Sequence, residues 1–281
     1  MHDKGKQVNT IRVLLLGDVV GAPGQAIFQK HIEKIRKEHK IDAVIVNGEN
    51  SADGKGITQR IMKFFKHNGV DVVTTGNHIW QKPDIISYFS EHKDLLRPAN
   101  FPNDTPGSGV TTFNCKGFEI GVINVQGRVF MRELLGCPFR TTESLLTFLK
   151  NKTKIVFVDF HAETTAEKMA MALYFDGKIS GLVGTHTHVQ TADERILPGG
   201  TGYITDLGMA GSLNSMIGMK KEAVIRNFLT QMPVRFEVDS NPPLVMSGVW
   251  IEVDTTSGKA VAIQRVRIVD NDLCSETIET A

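Results

Sequence analysis

Residues that commonly bind metal ions follow five apolar segments of this sequence, each within a few positions of the segment's end. The set combines carboxylate, amide and imidazole side chains and consists of Asp18, Glu49, Asn50, Asn77, His78, His161, His186 and His188. Nitrogen and oxygen donors without a thiolate are typical of sites for zinc, iron, manganese, nickel or cobalt. The set exceeds the roughly four ligands of one tetrahedral zinc ion, which favours two metal ions about 3.5–4 Å apart that share a carboxylate.

The five apolar segments are short and rich in β-branched residues, and amphipathic helical patterns separate the first three. The segments are residues 11–16, 43–46, 70–74, 155–158 and 179–183. Strands that alternate with helices predict parallel βαβ units, and ligands bind at the carboxyl ends of such strands. Five parallel strands would therefore bring the candidate donors to one edge, and the intervening helices account for their spacing along the chain.

Further patterns predict helices and two antiparallel strand pairs. Apolar residues recur at helical spacing in five segments, which are residues 23–39, 57–67, 142–150, 166–175 and 220–229. Strands are predicted at 110–113 with 118–125 and at 244–253 with 259–268, and a loop is predicted at 94–109. Thr164 and Glu167 have the spacing of a capping box before the helix at 166–175. These patterns favour a mixed sheet, two-layered and flanked by helices.

The composition is that of an ordinary folded protein. Of 281 residues, 41% are hydrophobic and 22% are charged, and the net charge is +1. This balance excludes a disordered chain and argues against stable binding to duplex nucleic acid, which needs a basic excess. No segment divides the chain, so we expect one domain over residues 1–281, with flexible ends at 1–10 and 270–281. Both a monomer and a homo-oligomer remain open.

The sequence also allows a prediction of the cellular compartment in which the protein is found. No stretch approaches the roughly 20 apolar residues of a membrane span, and the polar first residues do not form a signal peptide. The three cysteines, Cys115, Cys137 and Cys274, are odd in number and far apart, which argues against a disulfide framework. We therefore expect a cytoplasmic protein without a membrane partner.

Each candidate donor also has a simpler interpretation when it is taken singly. Asp18 could cap a turn before the helix that Pro23 opens, and Glu49 and Asn50 could form an ordinary turn. The glycines at 17, 21 and 24 follow a strand and precede a helix, as a phosphate-binding turn does, but their spacing matches neither common nucleotide motif. They could instead let the chain leave the sheet close to a metal. The joint occurrence of all the donors at strand ends favours the metal interpretation.

Several motifs resemble those of the calcineurin-like metallophosphoesterase superfamily, and in particular its bacterial YmdB-type branch of cyclic-nucleotide phosphodiesterases. The motifs are GDVVG at 17–21, NGEN at 47–50, TGNHIW at 75–80, RPANFP at 97–102, DFHAE at 159–163, GTHTHVQTADERILPGGT at 184–201 and TDLGM at 205–209. The resemblance covers residues 11–268, nearly the whole chain. It implies an α/β fold, namely a four-layer αββα metallophosphoesterase sandwich with mixed central sheets flanked by helices.

The resemblance also implies a role for each candidate residue. One metal ion is held by Asp18, Asn50 and His188. A second metal ion is held by Asn77, His161 and His186. Glu49 bridges the two ions, and His78 is the expected catalytic acid or transition-state stabiliser.

Two positions depart from the wider superfamily. Val20 stands where a histidine is usual, and Glu49 stands where an aspartate is usual. The loss of an imidazole leaves the first ion with more oxygen donors, which favours iron or manganese and leaves zinc as an alternative. Asp159 or Glu163 is expected to orient the ligand imidazoles. Residues 210–214, if they line the pocket, could alter the choice of substrate.

The implied function is hydrolysis of phosphodiester bonds, with a hydroxide between the metals as the nucleophile and 2′,3′- or 3′,5′-cyclic AMP as candidate substrates. A phosphomonoesterase or nucleotidase on the same site is the alternative enzyme. A regulatory nucleotide-binding protein with negligible turnover is an alternative of another class. An RNA-processing factor would require clustered positive charge, of which the net charge gives no sign.

Overall fold

Two β-sheets stacked face to face form the centre of the molecule, which a computed structural model describes from residue 9 to residue 273. The first sheet contains β1 (Thr10–Leu16), β2 (Asp18–Val19), β3 (Ala43–Asn47), β4 (Val72–Thr74), β11 (Met209–Ser212), β12 (Leu244–Asp254) and β13 (Ala260–Asp270). The second sheet contains β5 (Val110–Cys115), β6 (Phe118–Gln126), β7 (Ile155–His161), β8 (Gly181–Thr185), β9 (Arg195–Ile196) and β10 (Gly202–Ile204). Both sheets mix parallel and antiparallel pairs.

Helices flank the two sheets. They are α1 (Gly21–His39), α2 (Gln59–His67), α3 (Ile85–Glu91), α4 (Pro138–Leu149) and α5 (Thr165–Tyr174), whereas α6 (Lys221–Thr230) has no buried residue. The first three share one apolar cluster with the first sheet, while α4 and α5 share another with the second sheet. The four-layer αββα architecture is therefore confirmed. Among residues 9–273, no helix combines the length and the apolar character needed to cross a membrane.

The alternation of side chains along β1 shows why its sequence is apolar throughout. Val13 and Leu15 pack between the two sheets, and Leu14 and Leu16 pack beneath the helices. All four are at most 2% exposed. A strand covered on both faces must be apolar at every position, so the continuous run at 11–16 reflects burial on two sides.

The five strands expected to share one edge are divided between the two sheets. β1, β3 and β4 run parallel in the first sheet, and β7 and β8 run parallel in the second. The prediction of parallel strands is confirmed, but the prediction that all five strands lie along one edge was wrong. A facing pair of sheets places donors on both sides of a cleft, whereas one sheet would line them up in a row.

Several short elements were absent from the sequence-based prediction. β2 and β9 have two residues each, β11 reads MAGS, which carries no strand pattern, and α3 has only seven residues. α4 begins four residues before the predicted start, at Pro138, because proline suits the first turn of a helix. The capping box is present in part: Thr164 Oγ1 accepts a hydrogen bond from Glu167 N at 3.4 Å.

The predicted flexible ends fall mostly outside the described residues. Residues 1–8 and 274–281, which include Cys274, lie outside the residues that the structure describes. Within the described part, Thr10 begins β1 and Asp270 ends β13. Cys115 and Cys137 are both free thiols.

We expect Gly248→Ala to destabilise the fold because β12 lies too close to β1 for a side chain there. A Cβ atom at this position would lie 2.3 Å from the carbonyl oxygen of Leu15. Overpacking of this kind costs about 1–3 kcal/mol, measurable as a lower midpoint in urea denaturation. Gly211→Ala is the matched control, since its nearest neighbour would be Val20 Cβ at 3.5 Å. Equal midpoints for the two variants would contradict the close approach.

Candidate metal centre

The glycines after β1 bring Asp18 to the cleft between the sheets. A Cβ atom on Gly17 would lie 2.0 Å from the carbonyl oxygen of Gly208, and one on Gly24 would lie 2.4 Å from that of Ala210. Asp18 N donates a hydrogen bond to Gly208 O at 3.1 Å. These glycines allow two backbone segments to pass in contact, which explains their spacing without a nucleotide phosphate.

Three of the predicted donors form a first cluster between the two sheets. Asn50 Nδ2 lies 3.1 Å from Asp18 Oδ1 and 3.2 Å from His188 Nε2. His188 Nε2 and Asp18 Oδ1 are 3.6 Å apart. Asp18 and Asn50 are buried, and only 9% of the His188 side chain is exposed. Asp18 and Asn50 come from the first sheet and His188 comes from the second.

A second cluster surrounds the ring of His161. Its Nε2 atom lies 2.9 Å from Asn77 Oδ1, 3.1 Å from Glu49 Oε1 and 3.1 Å from His186 Nδ1. Glu49 also reaches the first cluster, because its Oε1 atom accepts from Asn50 Nδ2 at 3.3 Å. The structure thus places Glu49 between the two clusters.

Contacts to the second ring nitrogen fix the orientation of two imidazoles, those of His161 and His186. His161 Nδ1 lies 3.0 Å from Thr185 Oγ1, which donates to Asp159 Oδ1 at 2.7 Å. His186 Nε2 lies 3.1 Å from Glu163 Oε2. Asp159 and Glu163 thus act on different rings, one through a hydroxyl group and the other directly. Burial raises the pKa of Asp159 to about 6, although Thr74 and Thr185 donate hydrogen bonds to it.

Opposite charges hold the buried carboxylates in their ionised form. Burial by itself raises the pKa of Asp18, but His188 and His161 outweigh it and keep the pKa below its ordinary value. The pKa of Glu49 is likewise lowered, since His161 outweighs the effect of burial. Burial lowers the pKa of His188, but Asp18 more than offsets this and raises it to about 9. The cleft therefore concentrates negative charge that needs positive charge beside it.

The turn that carries His186 and His188 is held by a buried ion pair that the sequence did not reveal. Both histidines have positive φ angles, 96° and 63°. Between them, Thr187 donates to Asp206 Oδ2 from its N at 3.2 Å and from its Oγ1 at 2.7 Å. Lys168 Nζ lies 2.7 Å from the same oxygen, and both charged side chains are 1% exposed. A lysine on the apolar face of α5 and the aspartate of the TDLGM motif were the available signals.

His78 lies beside the second cluster without joining it through its ring. Its backbone N donates to Glu49 Oε2 at 3.1 Å, and its side chain is half-buried at the start of a single 3₁₀ turn. Burial lowers the pKa of His78, and Glu49 partly offsets this effect. The eight predicted residues are therefore brought together in one cleft.

The arrangement around His161 suits a cation. Its Nε2 atom carries at most one hydrogen, yet three atoms that can accept one lie within 3.1 Å of it. One atom each from Glu49, His161 and His186 lies within 4.8 Å of the others. A positive ion among these atoms would satisfy lone pairs that one proton cannot.

Comparison with known proteins shows the family to which the chain belongs. The family described as "YmdB-like protein" matches residues 14–266. The chain belongs to this family. A 2′,3′-cyclic-nucleotide 2′-phosphodiesterase of Bacillus subtilis is 45% identical over 266 residues, which cover 95% of this chain and 100% of that protein. The resemblance drawn from the motifs is thus confirmed.

Two solved structures share the fold along almost their full length. A novel phosphatase from Mycoplasma pneumoniae has a TM-score of 0.89 and is 37% identical, with 95% of this chain and 96% of that chain covered. A hypothetical protein from Thermus thermophilus has a TM-score of 0.86 and is 38% identical, with 92% and 100% covered. These likenesses place the described fold within the family.

His161→Ala should remove metal from the second cluster, because all three short contacts of that cluster pass through this ring. We expect its metal affinity to fall by more than the roughly 10–100-fold loss typical when an outer-shell partner is removed. Elemental analysis of the purified proteins measures the effect. His67→Ala, at the exposed end of α2, is the control. Equal metal content in both variants would refute the assignment.

Thr187→Val should weaken metal binding without unfolding the chain. The change removes one hydrogen bond to Asp206 and leaves the ion pair with Lys168 intact. We expect a loss of about 10-fold in metal affinity by titration, since a hydrogen bond to a charged group contributes about 1.5–3 kcal/mol. Thr147→Val is the control, because it removes a hydroxyl hydrogen bond to a neutral backbone carbonyl on the exposed face of α4, from Thr147 Oγ1 to Glu143 O at 3.0 Å. Matching affinities for the two variants would show that Thr187 does not position the turn.

Proposed function

We propose that this protein is a metal-dependent phosphodiesterase that hydrolyses cyclic nucleotides, with 2′,3′-cyclic nucleotides as the first candidates. The observation that carries the proposal is the pair of donor clusters that meet at Glu49. The Bacillus subtilis relative, named for its action on 2′,3′-cyclic nucleotides, supports the substrate class because the alignment covers all of that protein.

Under this proposal the two clusters hold two metal ions. The first ion is bound by Asp18, Asn50 and His188. The second ion is bound by Asn77, His161 and His186. Glu49 serves both, as its position between the clusters suggests. Bound metal ions would supply Lewis-acid chemistry, by making water a nucleophile at neutral pH and by neutralising charge on the phosphoryl oxygens.

The residues of the chain then have distinct tasks. Thr185 and Glu163 keep the rings of His161 and His186 aligned, while Asp206 holds the turn between His186 and His188. The short distances within the buried cleft limit how far these donors can shift during a reaction. Among residues 9–273 the half-buried ring of His78 makes no hydrogen bond, while its backbone N donates to Glu49, so the ring can turn toward the substrate.

His78 is proposed to donate a hydrogen bond or a proton to the leaving ribose oxygen or to a phosphoryl oxygen. It follows Asn77 directly, so a phosphate held at the second cluster would lie close to its ring. A positioned group of this kind typically contributes about 10²–10⁴-fold to the rate.

Iron or manganese is the proposed metal, with zinc as the alternative. Carboxylate and amide oxygens form much of the donor set, and Val20 is fully buried in an apolar cluster, where it offers no ligand. Oxygen donors suit manganese and iron better than the softer metals that prefer thiolates.

A phosphomonoesterase remains the second candidate. The Mycoplasma pneumoniae structure, described as that of a phosphatase, favours it at 37% identity. Turnover of an aryl monoester and an aryl diester by one preparation separates the two activities, and a diester preference of at least tenfold would support the first.

The activity itself is tested on metal-depleted protein reconstituted with Mn²⁺ or Fe²⁺. The panel consists of 2′,3′-cyclic AMP, 3′,5′-cyclic AMP and the two aryl esters, with products identified by chromatography. We expect turnover of the 2′,3′-cyclic substrate that disappears on chelation and returns with metal. Nucleotide binding without turnover in every reconstituted sample would point instead to a regulatory binding protein.

His78→Ala should keep the metal and lose the rate. We expect kcat on the best diester to fall by about 10²–10⁴-fold, in line with the loss of a positioned proton donor. Metal content should stay equal to that of the unaltered protein and of His67→Ala. If His78→Ala also lost its metal, His78 would belong to the ligand set and its proposed role would be wrong.

A further inference from the structure

A large cavity lies at the end of the second sheet that is remote from the metal centre. Its volume is about 890 Å³, and it is lined by α4, the start of β7 and the turns around Lys178 and Gly258. Val156 lines the cavity, and His161 lies five residues further along the same strand. At about 3.3 Å per residue, roughly 17 Å separate the two sites, so the cavity is not part of the catalytic cleft.

Positive charge is concentrated around this cavity. Five cations line it, namely Arg140, Lys150, Lys154, Lys178 and Lys259, and Glu143 is the one acidic residue among the lining residues. Glu143 is bound to Arg140 at 2.8 Å. None of the four lysines has a carboxylate within 4.0 Å in the part of the chain from 9 to 273.

These five cations lie around one cavity although the net charge of the whole chain is only +1. Seven of the other fourteen lysines between residues 9 and 273 lie within 4.0 Å of a carboxylate, as Lys30 does with Asp270 at 2.7 Å and Lys220 with Glu237 at 2.8 Å.

Lys154 Nζ donates a hydrogen bond to the carbonyl oxygen of Thr256 at 3.2 Å, and Lys178 Nζ lies 4.8 Å from the ring centre of Tyr174, so the partners of both are uncharged. An anion placed among such like charges relieves their repulsion. The cavity therefore favours a ligand with at least one negative charge.

The floor of the cavity is apolar. Leu146 is the partly exposed apolar residue among those lining the cavity, and it is accompanied by the buried residues Leu149, Val156, Phe175 and Ile179. Lysines at the rim with aliphatic and aromatic groups beneath them match a ligand that carries an anionic group on a ring. The volume falls within the roughly 300–1,000 Å³ of typical small-ligand cavities.

We propose that this cavity is a second, non-catalytic site that binds a phosphate-bearing small molecule with a ring, for which a nucleoside monophosphate is the representative. The phosphate lies among Lys150, Lys154, Lys178 and Lys259, and the ring lies against the apolar floor. The site is independent of the metal centre, because none of its lining residues belongs to either donor cluster.

The test is isothermal titration of AMP and of inorganic phosphate into the full chain and into His161→Ala, which lacks the second metal cluster. AMP should bind to both proteins with similar affinity, and more tightly than phosphate does. The double variant Lys154→Gln/Lys178→Gln should bind AMP at least about 10-fold more weakly. Lys37→Gln/Lys63→Gln is the control, since it removes the same charge from exposed positions on α1 and α2.

Several outcomes would overturn this inference. An AMP dissociation constant above about 1 mM for His161→Ala would mean that the observed binding belongs to the metal centre. Equal losses in the two lysine double variants would indicate general charge attraction. If phosphate bound as tightly as AMP, the apolar floor would have no role in binding. An oligoribonucleotide is titrated in parallel, and submillimolar binding of this probe without binding of AMP would assign the surface to RNA. None of these results depends on turnover, so failure here leaves the phosphodiesterase proposal to its own test.

Discussion

The need to neutralise two carboxylates buried between facing sheets governs the structure of the cleft. Asp18 and Glu49 are at most 1% exposed, so their negative charge is not stabilised by water. Imidazole groups from the opposite sheet lie within 3.6 Å of them. Any cation placed there gains the same attraction, which is why this cleft, rather than an exposed acidic cluster, suits metal-assisted chemistry.

The same requirement explains the polar groups behind the donors. His186 and His188 can face the carboxylates only because the backbone between them adopts an uncommon conformation. That conformation persists because Thr187 is bound to Asp206, whose charge is balanced by Lys168 within the core. Breaking one member of such a pair is costly, since the other member would remain charged and unpaired. The chain thus uses one buried ion pair, directly behind the turn between His186 and His188, to define the geometry of another charged site.

The proximity of these polar residues could be predicted from the sequence because each follows a strand whose pattern is strong. Asp18, Glu49, Asn77, His161 and His186 all stand at ends of apolar runs, a property of local sequence. The division of those strands between two sheets could not be seen, because pairing depends on contacts between distant residues. For the same reason Lys168 resembled an ordinary helical lysine, and β11 gave no strand signal although it lies against Asp18. Clustered lysines were missed because a net charge sums over the chain and says nothing about position.

The origin of the donors from opposite sheets has a thermodynamic consequence. Asp18, Asn50 and Asn77 belong to one layer of the sandwich, and His161 and His188 belong to the other. An ion held between them would link the two layers, and separating the layers would require release of the ion. A ligand at about 100 times its dissociation constant adds about 2.7 kcal/mol to the free energy of unfolding. In such a protein the supply of the ion would govern not only reactivity but also the persistence of the folded sandwich itself.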